Sequence, residues 1–257
     1  MIARLVLLAG LAAAAVGALP ARADDLVLSL SKQRVTITSS FTGDDLVLFG
    51  VVPGDLVPAD APLDAVVTVR GPGRDFVTRR KEPRFGLWMN VDSRAFLGAP
   101  AYLAVLSNRP VSEIADAETR RQEQLGLADN RFLQRIGTDF ADVVPHDPFR
   151  QAFLRVKEAQ GLYYERTAGV AFIAPHVFRA AIPIPGTAPV GTYEVSVKLF
   201  QNKEMIGRGF ASFTVGKTDF EETVAVAARD HSVFYGLATA LGALLIGFIG
   251  NIAFRRD

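Results

Sequence analysis

The sequence predicts a mainly β protein: an immunoglobulin-like antiparallel β-sandwich with a helical insertion, followed by one C-terminal transmembrane helix. Three observations predict this. Short segments rich in Val, Leu, Ile and Thr alternate with turn residues before residue 110 and again after residue 170. Between them, residues 111–161 change to helical spacing. Near the end of the chain, 23 residues without a charge are long enough to cross a bilayer.

Residues 1–23 have the pattern of a cleavable signal peptide. Arg4 precedes an uncharged run from Leu5 to Leu19, Pro20 ends this run, and Ala21-Arg22-Ala23 has the small-x-small pattern of a cleavage site. The alternative is an uncleaved anchor. A signal peptide predicts export of the body that follows.

Composition excludes several classes of function. The chain has no cysteine, which excludes disulfides, zinc–thiolate sites, thiol catalysis and lipoprotein acylation. Removal of residues 1–23 leaves 26 basic and 27 acidic residues. Such a balance lacks the basic excess of nucleic-acid-binding proteins, so we expect no nucleic acid partner.

The exported body, residues 24–217, begins and ends in predicted strands. These are Leu26–Leu30, Arg34–Thr38, Asp45–Val52, Ala65–Arg70, Phe76–Arg80, Phe85–Asn90, Tyr102–Ser107, Val170–Ala174, Phe178–Ile184, Thr192–Phe200 and Met205–Val215. The turn before Thr192 is typical of immunoglobulin-like domains, in which a corner Tyr hydroxyl bonds to the backbone a few residues upstream. Tyr193 is the candidate.

The helical insertion, about residues 111–161, is predicted to pack on the sandwich. Ser112 can cap a helix that runs to about Leu125, and Asn130–Ile136 is predicted as a second, short helix. Asp147 followed by Pro148 is a strong helix start. The helix after it has an apolar stripe made of Phe149, Phe153 and Val156.

The last 40 residues predict a long helix that enters the membrane. Thr218 and Glu221 have the spacing of a capping box, so we expect a juxtamembrane helix over 218–231. Residues 232–254 are the transmembrane helix. Arg255 and Arg256 follow, and arginines favour the cytoplasmic side. We therefore expect a single-pass protein of the inner (cytoplasmic) membrane, with a periplasmic body and a cytoplasmic tail, residues 255–257.

Small residues repeat along the transmembrane helix in steps of four, three, four and three, which places them on one face. They are Gly236, Ala240, Ala243, Gly247 and Gly250. Small residues let membrane helices approach closely, so this face predicts self-association or an integral membrane partner. The alternative is that Gly and Ala are merely common in such helices.

A basic cluster stands out within residues 70–84. It consists of Arg70, Arg74, Arg79, Arg80, Lys81 and Arg84. Arginine forks bind oxyanions through paired hydrogen bonds, so one interpretation is a small-anion site. The alternatives are a hairpin whose charges protect an edge strand and a hairpin that lies on anionic lipid. Trp88, the only tryptophan, is predicted to be a core residue.

No pattern in the sequence predicts catalysis. His146, His176 and His231 have no metal-ligand spacing, and a Gly-x-Ser-x-Gly elbow is absent from the sequence. We therefore expect no cofactor, no bound metal and no enzymatic activity. An enzyme whose catalytic site is scattered over loops is an alternative hypothesis.

The chain resembles the alphaproteobacterial transmembrane protein family, whose members have no assigned activity. The resemblance rests on four matching stretches together with the single C-terminal span. The stretches are residues 34–37, residues 41–46, Val69-Arg70-Gly71-Pro72 and Gly86-Leu87-Trp88-Met89-Asn90. It implies an accessory role, in association with an anion exporter of the sulfite type, and transfers no catalytic residue.

Two hypotheses about function follow. The first is a non-enzymatic accessory or scaffold protein whose periplasmic body and membrane helix bind a membrane partner. The second is a periplasmic module that binds or senses a small anion through the basic cluster.

Overall fold

A computed structural model describes residues 26–38, 41–54, 62–136, 139–142, 147–217 and 228–254. These residues form strands β1 (Val27–Leu30), β2 (Arg34–Ile37), β3 (Gly43–Val51), β4 (Asp64–Arg70), β5 (Gly73–Arg84), β6 (Leu87–Pro100), β7 (Leu103–Ser107), β8 (Leu133–Ile136), β9 (Asp139–Asp142), β10 (Tyr163–Thr167), β11 (Val170–Ala174), β12 (Val177–Pro185), β13 (Gly191–Gln201) and β14 (Glu204–Lys217). The helices are α1 (Val111–Ile114), α2 (Ala117–Glu123), α3 (Pro148–Ala159) and α4 (Ser232–Phe254). The predicted signal peptide, tail and most of the juxtamembrane helix lie outside the described residues.

Three sheets form the body. The largest has the strand order β10-β7-β4-β13-β14-β2, the second β1-β3-β12-β11, and the third β5-β6-β8-β9. Most pairings are antiparallel, but β10 pairs with β7 and β14 pairs with β2 in parallel. The predicted mainly β fold with antiparallel sheets is confirmed. The two parallel pairs were not predicted, because each joins strands that lie far apart in the sequence.

The central strands of the large sheet are buried on both faces. Along β4, Val67 and Val69 face a core shared with the second sheet, whereas Val66 faces a different core. Side chains alternate between the two faces of a strand, so a strand that is apolar at consecutive positions needs cover on both sides. The second sheet provides one cover, and the third sheet with the helical insertion provides the other.

An aromatic cluster holds the insertion against the sheet. The Phe153 ring of α3 stacks on Phe96 with centroids 4.6 Å apart, and it meets Phe132 and Tyr163 edge-on at 5.7 Å each. Aromatic pairs in these geometries add about 0.5–1.5 kcal/mol each beyond the area they bury. The predicted helical insertion therefore packs on the sandwich, as expected.

The insertion differs from the prediction in its details. Asn130–Ile136 is not a helix: Leu133–Ile136 is strand β8, which pairs with β6 in the register Ala95↔Arg135. Burial alternates along it, with Phe132 and Gln134 buried. Pairing with β6 thus outweighed a weak local helix preference.

The helix predicted from Ser112 to Leu125 is divided into two helices, α1 and α2. Asp116 accepts a hydrogen bond from the Thr119 amide at 2.7 Å and thereby starts a new helix.

The start of α3 is as predicted. Asp147 Oδ1 accepts a hydrogen bond from the Phe149 amide at 3.0 Å, and Pro148 is the first helical residue. The predicted stripe is right at Phe149 and Phe153, which are buried, and wrong at Val156, which is half exposed. Lys157 is buried in its place, with its ammonium nitrogen 3.6 Å from the centroid of the Phe76 ring. The Lys157 ammonium is attracted electrostatically to the face of the Phe76 ring, whereas an apolar Val side chain would have no such attraction.

The predicted corner bond is confirmed. Tyr193 is fully buried, and its hydroxyl donates to the Pro189 carbonyl at 2.7 Å. The bond ties the turn before β13 to the strand itself. The immunoglobulin-like detail of the sandwich stays a prediction.

We expect Tyr193→Phe to lower the free energy of unfolding by about 1–3 kcal/mol, because the partly buried Pro189 carbonyl would lose its donor. The urea midpoint of the full chain in mild detergent measures this. Tyr235→Phe is the control, since Tyr235 lies on α4 outside the sandwich. Equal midpoints for the two variants would contradict a structural role for the corner bond.

Gly50 lies directly against the ring of Phe178 on the neighbouring strand of the second sheet. A Cβ on Gly50 would lie 2.1 Å from Cζ of the buried Phe178 ring. Gly50→Ala should therefore destabilise the body by about 1–3 kcal/mol, the usual effect of overpacking. Gly54→Ala is the matched control, because a Cβ there meets nothing within 4 Å. Thermal unfolding of both variants tests this, and a Gly50→Ala midpoint at or above that of Gly54→Ala would contradict it.

Candidate functional site: a basic hairpin and an apolar helix

Strands β5 and β6 form a long hairpin with a two-residue turn. The turn residues Phe85 and Gly86 have φ values of 52° and 77°. Positive φ at both positions is the geometry of the tight turn that matches the twist of paired strands. Glycine adopts it readily, whereas phenylalanine does so at some cost. The turn therefore places a large aromatic side chain at the outermost point of the hairpin.

The base of the hairpin is anchored in the body. Phe76 and Phe96 both contact Phe153 of α3, at 5.6 and 4.6 Å between centroids. β8 pairs with β6 at Ala95–Leu97. Burial lowers the pKa of Lys157, which lies over Phe76, and nearby Arg74 lowers it further. These contacts fix where the hairpin leaves the body.

The outer half of the hairpin is exposed. Between residues 79 and 90, every side chain except the half-buried Glu82 is exposed. This segment contains the basic residues Arg79, Arg80, Lys81 and Arg84. The Glu82 carboxylate lies 3.2 Å from Arg80 and 3.7 Å from Arg84. One acid is thus shared between two arginines, and the segment keeps a positive net charge.

Large apolar side chains occupy the tip beside these cations. Phe85, Leu87, Trp88 and Met89 are all exposed, Trp88 to 71%. The prediction that Trp88 is a core residue is wrong, because the turn at Phe85 and Gly86 carries it beyond the body. The predicted strand Phe85–Asn90 ran across this turn. The Gly at position 86 was the signal that could have located it.

Arg70 lies apart from the rest of the basic cluster. Its guanidinium donates to Gln124 Oε1 at 2.7 Å and to Asn130 Oδ1 at 2.5 Å. Burial lowers its pKa, although Glu194 opposes that shift. Arg70 lines an open cavity of about 310 Å³ with Lys198 and Arg208, and none of the other five residues of the cluster lines it. The structure does not gather the six predicted residues around one cavity.

The cavity beside Arg70 also contains acids. Lys198 Nζ lies 2.9 Å from Glu123 Oε2 and also donates to the Glu123 backbone carbonyl at the end of α2. Glu194 is a further lining residue. Cations and acids of the cavity therefore partly neutralise each other, and Arg70 and Lys198 already have protein partners.

Helix α4 is the second candidate site. It has 23 residues, and Ser232–Asn251 is long and apolar enough to cross a membrane, with a mean hydropathy of 2.0 and no buried residue. A Cβ added at Gly236, Gly247 or Gly250 would meet nothing within 4 Å. The face that these glycines share with Ala240 and Ala243 thus contacts no other described part of the chain.

The histidines do not assemble. His176 lies in the turn before β12, where its carbonyl accepts from the Val52 amide at 2.8 Å. His231 directly precedes α4, and His146 lies outside the described residues. Within the part of the chain that the structure describes, no three His, Cys, Asp or Glu residues are placed to hold a metal ion.

Comparison with known families agrees with the apolar helix. Residues 25–256 match the model of a family described as "Putative transmembrane protein (Alph_Pro_TM)". The chain belongs to this family. It is thus a member of a transmembrane protein family with one candidate span at its C-terminal end. The resemblance seen in the sequence is confirmed.

Other comparisons add little. No curated protein matches the chain. Among solved structures it is similar to the N-terminal domain of the Streptococcus gordonii adhesin Sgo0707, at 8% identity and a TM-score of 0.25. The match covers 74% of this chain and 32% of that one, about a third of its length. Neither a fold nor a function follows from so distant a similarity.

Proposed function

We propose that the chain is a non-enzymatic accessory or scaffold protein, anchored by α4 in the inner membrane, that binds an integral membrane partner or a second copy of itself through the small-residue face of α4. The observation that carries this proposal is an apolar helix with a row of small residues that the rest of the described chain leaves uncovered. A plain anchor needs only length and hydrophobicity, so the row of small residues calls for another explanation.

The proposal places residues 24–231, the body and the juxtamembrane segment, in the periplasm and residues 255–257 in the cytoplasm. The support comes from the signal-peptide pattern of residues 1–23 and from Arg255 and Arg256 after the span. Both features favour the same orientation independently.

We expect a reporter that is active only in the periplasm to be silent when fused after Asp257, because the fusion point would lie in the cytoplasm. The control fusion, placed after Lys217 with the span deleted, should be active. Colony assays of the two fusions measure this. Activity of the Asp257 fusion would overturn the orientation.

The helix face has its own test. We expect Ala243→Ile together with Gly247→Ile to keep membrane localisation but to reduce association with the partner helix at least about tenfold, because large side chains prevent the close approach of two helices. Crosslinking in membranes and co-purification in mild detergent measure the association.

A matched control exists on the same helix. Ala238 and Gly242 have the same residue types and the same spacing, and they lie about 140° around the helix from the small-residue face. Ala238→Ile together with Gly242→Ile should associate like the unmodified chain. If both double variants associate normally, α4 is only a tether.

The nature of the partner rests on the family resemblance alone, which implies an anion exporter of the sulfite type. The alternative function, a periplasmic small-anion-binding module, has weaker support. Arg70 already bonds to Gln124 and Asn130, and the other cations of the cluster lie on the hairpin. Anion titration of the full chain tests that alternative.

A further inference from the structure

We infer that the outer half of the β5–β6 hairpin, residues 79–90, is a membrane-contact site whose occupant is the surface of an anionic phospholipid bilayer. We call these residues the hairpin tip. The inference goes beyond the proposed scaffold role, because it assigns to the body a lipid contact separate from α4. It rests on the apolar residues of the hairpin tip and on the arrangement of its cations. It also rests on the finding that no other described part of the chain packs against the hairpin tip.

The apolar residues of the tip have no structural explanation within the body. Phe85, Leu87, Trp88 and Met89 are four large apolar side chains within five residues, all exposed. A two-stranded ribbon on its own is marginally stable in water, and these side chains add nothing to its packing. Exposed apolar groups that cluster in this way mark contact surfaces.

Edge protection accounts for only part of the tip. β5 is an edge strand of the third sheet, and Arg79, Lys81 and Pro83 would discourage pairing with another strand. The same explanation predicts polar residues at the turn and on β6. The tip has Phe85 and Trp88 there instead. A site that needs both cations and apolar groups explains both sets.

Each face of the hairpin has an apolar side chain at the turn. On one face Trp88 pairs with Pro83, and Asn90 pairs with Lys81 behind them. On the other face Leu87 pairs with Arg84, and Met89 pairs with Glu82 behind them. Opposed residues on paired strands share a face. Apolar side chains therefore reach the turn on both faces; Arg84 lies beside Leu87, and the other three cations follow farther back along β5. The tip is built to enter a surface end-on.

The spacing fits the depth of a bilayer interface. At about 3.3 Å per residue, Lys81 and Arg80 lie about 13–17 Å from the turn. Apolar groups of interfacial elements enter about 5–10 Å into the boundary between headgroups and acyl chains. Such insertion would bring the long basic side chains to the level of the phosphates, where they bind while their stems stay in apolar surroundings.

Charge favours anionic lipid over neutral lipid. Arg79, Arg80, Lys81 and Arg84 oppose only Glu82 within residues 79–90. Each basic residue near an anionic surface strengthens binding about fivefold. Trp88 adds a side chain that prefers the interface between water and lipid. A protein partner with an acidic apolar groove would share this chemistry, and the experiment separates the two.

Trp88 is the only tryptophan in the chain, so tryptophan emission that is excited beyond the absorption of the tyrosines reports on the tip alone. The full chain is reconstituted in phosphatidylcholine vesicles and in vesicles with about one third phosphatidylglycerol. Acyl chains brominated near the headgroup serve as quenchers, because bromine quenches tryptophan only at close range. We expect a blue shift of the Trp88 emission in the anionic vesicles, with quenching at least about threefold stronger than in phosphatidylcholine.

Two charge variants separate the tip from general electrostatics. The tip variant Arg79→Gln, Arg80→Gln, Lys81→Gln should lose the difference between the two lipid mixtures. The matched control, Arg131→Gln, Arg155→Gln, Arg179→Gln, removes three exposed basic residues elsewhere in the body and should retain it. All six positions are exposed, so folding should be unaffected. High salt should reduce the difference in the unmodified chain.

Three outcomes would overturn the inference. The first is an absence of bromolipid quenching in both mixtures. The second is equal quenching in both mixtures, which would show that the cations do not select anionic lipid. The third is a blue shift that grows with the ratio of protein to lipid and shows no bromolipid quenching, which would identify a second copy of the chain as the occupant.

Discussion

The body depends on one constraint: β4 and β7, two interior strands of the large sheet, have apolar side chains at consecutive positions and must be covered on both faces. Val66 and Val67 are neighbours in the sequence and are both fully buried, yet they belong to different cores. A two-layer sandwich would leave one of them in water, at a cost of about 1.5–3 kcal/mol for each such side chain. The third layer follows from this requirement.

That third layer also determines where the hairpin lies. Phe96 of β6 and Phe76 of β5 are part of, or packed against, the second core, where they meet Phe153 of α3. The same two strands continue outwards beyond the body. In residues 79–90 they contact each other and no other described part of the chain. One hairpin therefore has two parts with different physical roles. Its base is held by core packing, and its outer half is free to meet a surface outside the protein.

Much of the fold could be predicted from the sequence, because local patterns specify it. The period-two segments located most strands, and Asp147 with Pro148 located the start of α3. The turn before Thr192 predicted that the Tyr193 hydroxyl bonds to the backbone a few residues upstream. Elements held by distant partners were missed. β8 forms because Ala95–Leu97 of β6 is available for pairing. No pattern within residues 130–136 predicts this pairing.

The candidate sites could be predicted in composition but not in geometry. The basic residues between 70 and 84 are close in sequence, yet Arg70 ends a buried strand while Arg84 adjoins an exposed turn. The pattern of residues 85–90 also did not reveal that Trp88 lies outside the body, because burial depends on what packs against a strand. The small-residue face of α4 could be predicted from the sequence, because a helix has a fixed number of residues per turn.

The parallel pairing of β2 with β14 has a consequence for the order of folding. Thr214–Lys217 pairs with Arg34–Ile37, so nearly 180 residues separate the two partners in the chain. During synthesis, β2 emerges early and stays without this neighbour until the last strand of the body follows, directly before the segment that leads to α4. Contacts between such distant segments slow folding. The large sheet is therefore completed only after β14 has been made, and a chain truncated before β14 would leave the edges of β2 and β13 open to other strands.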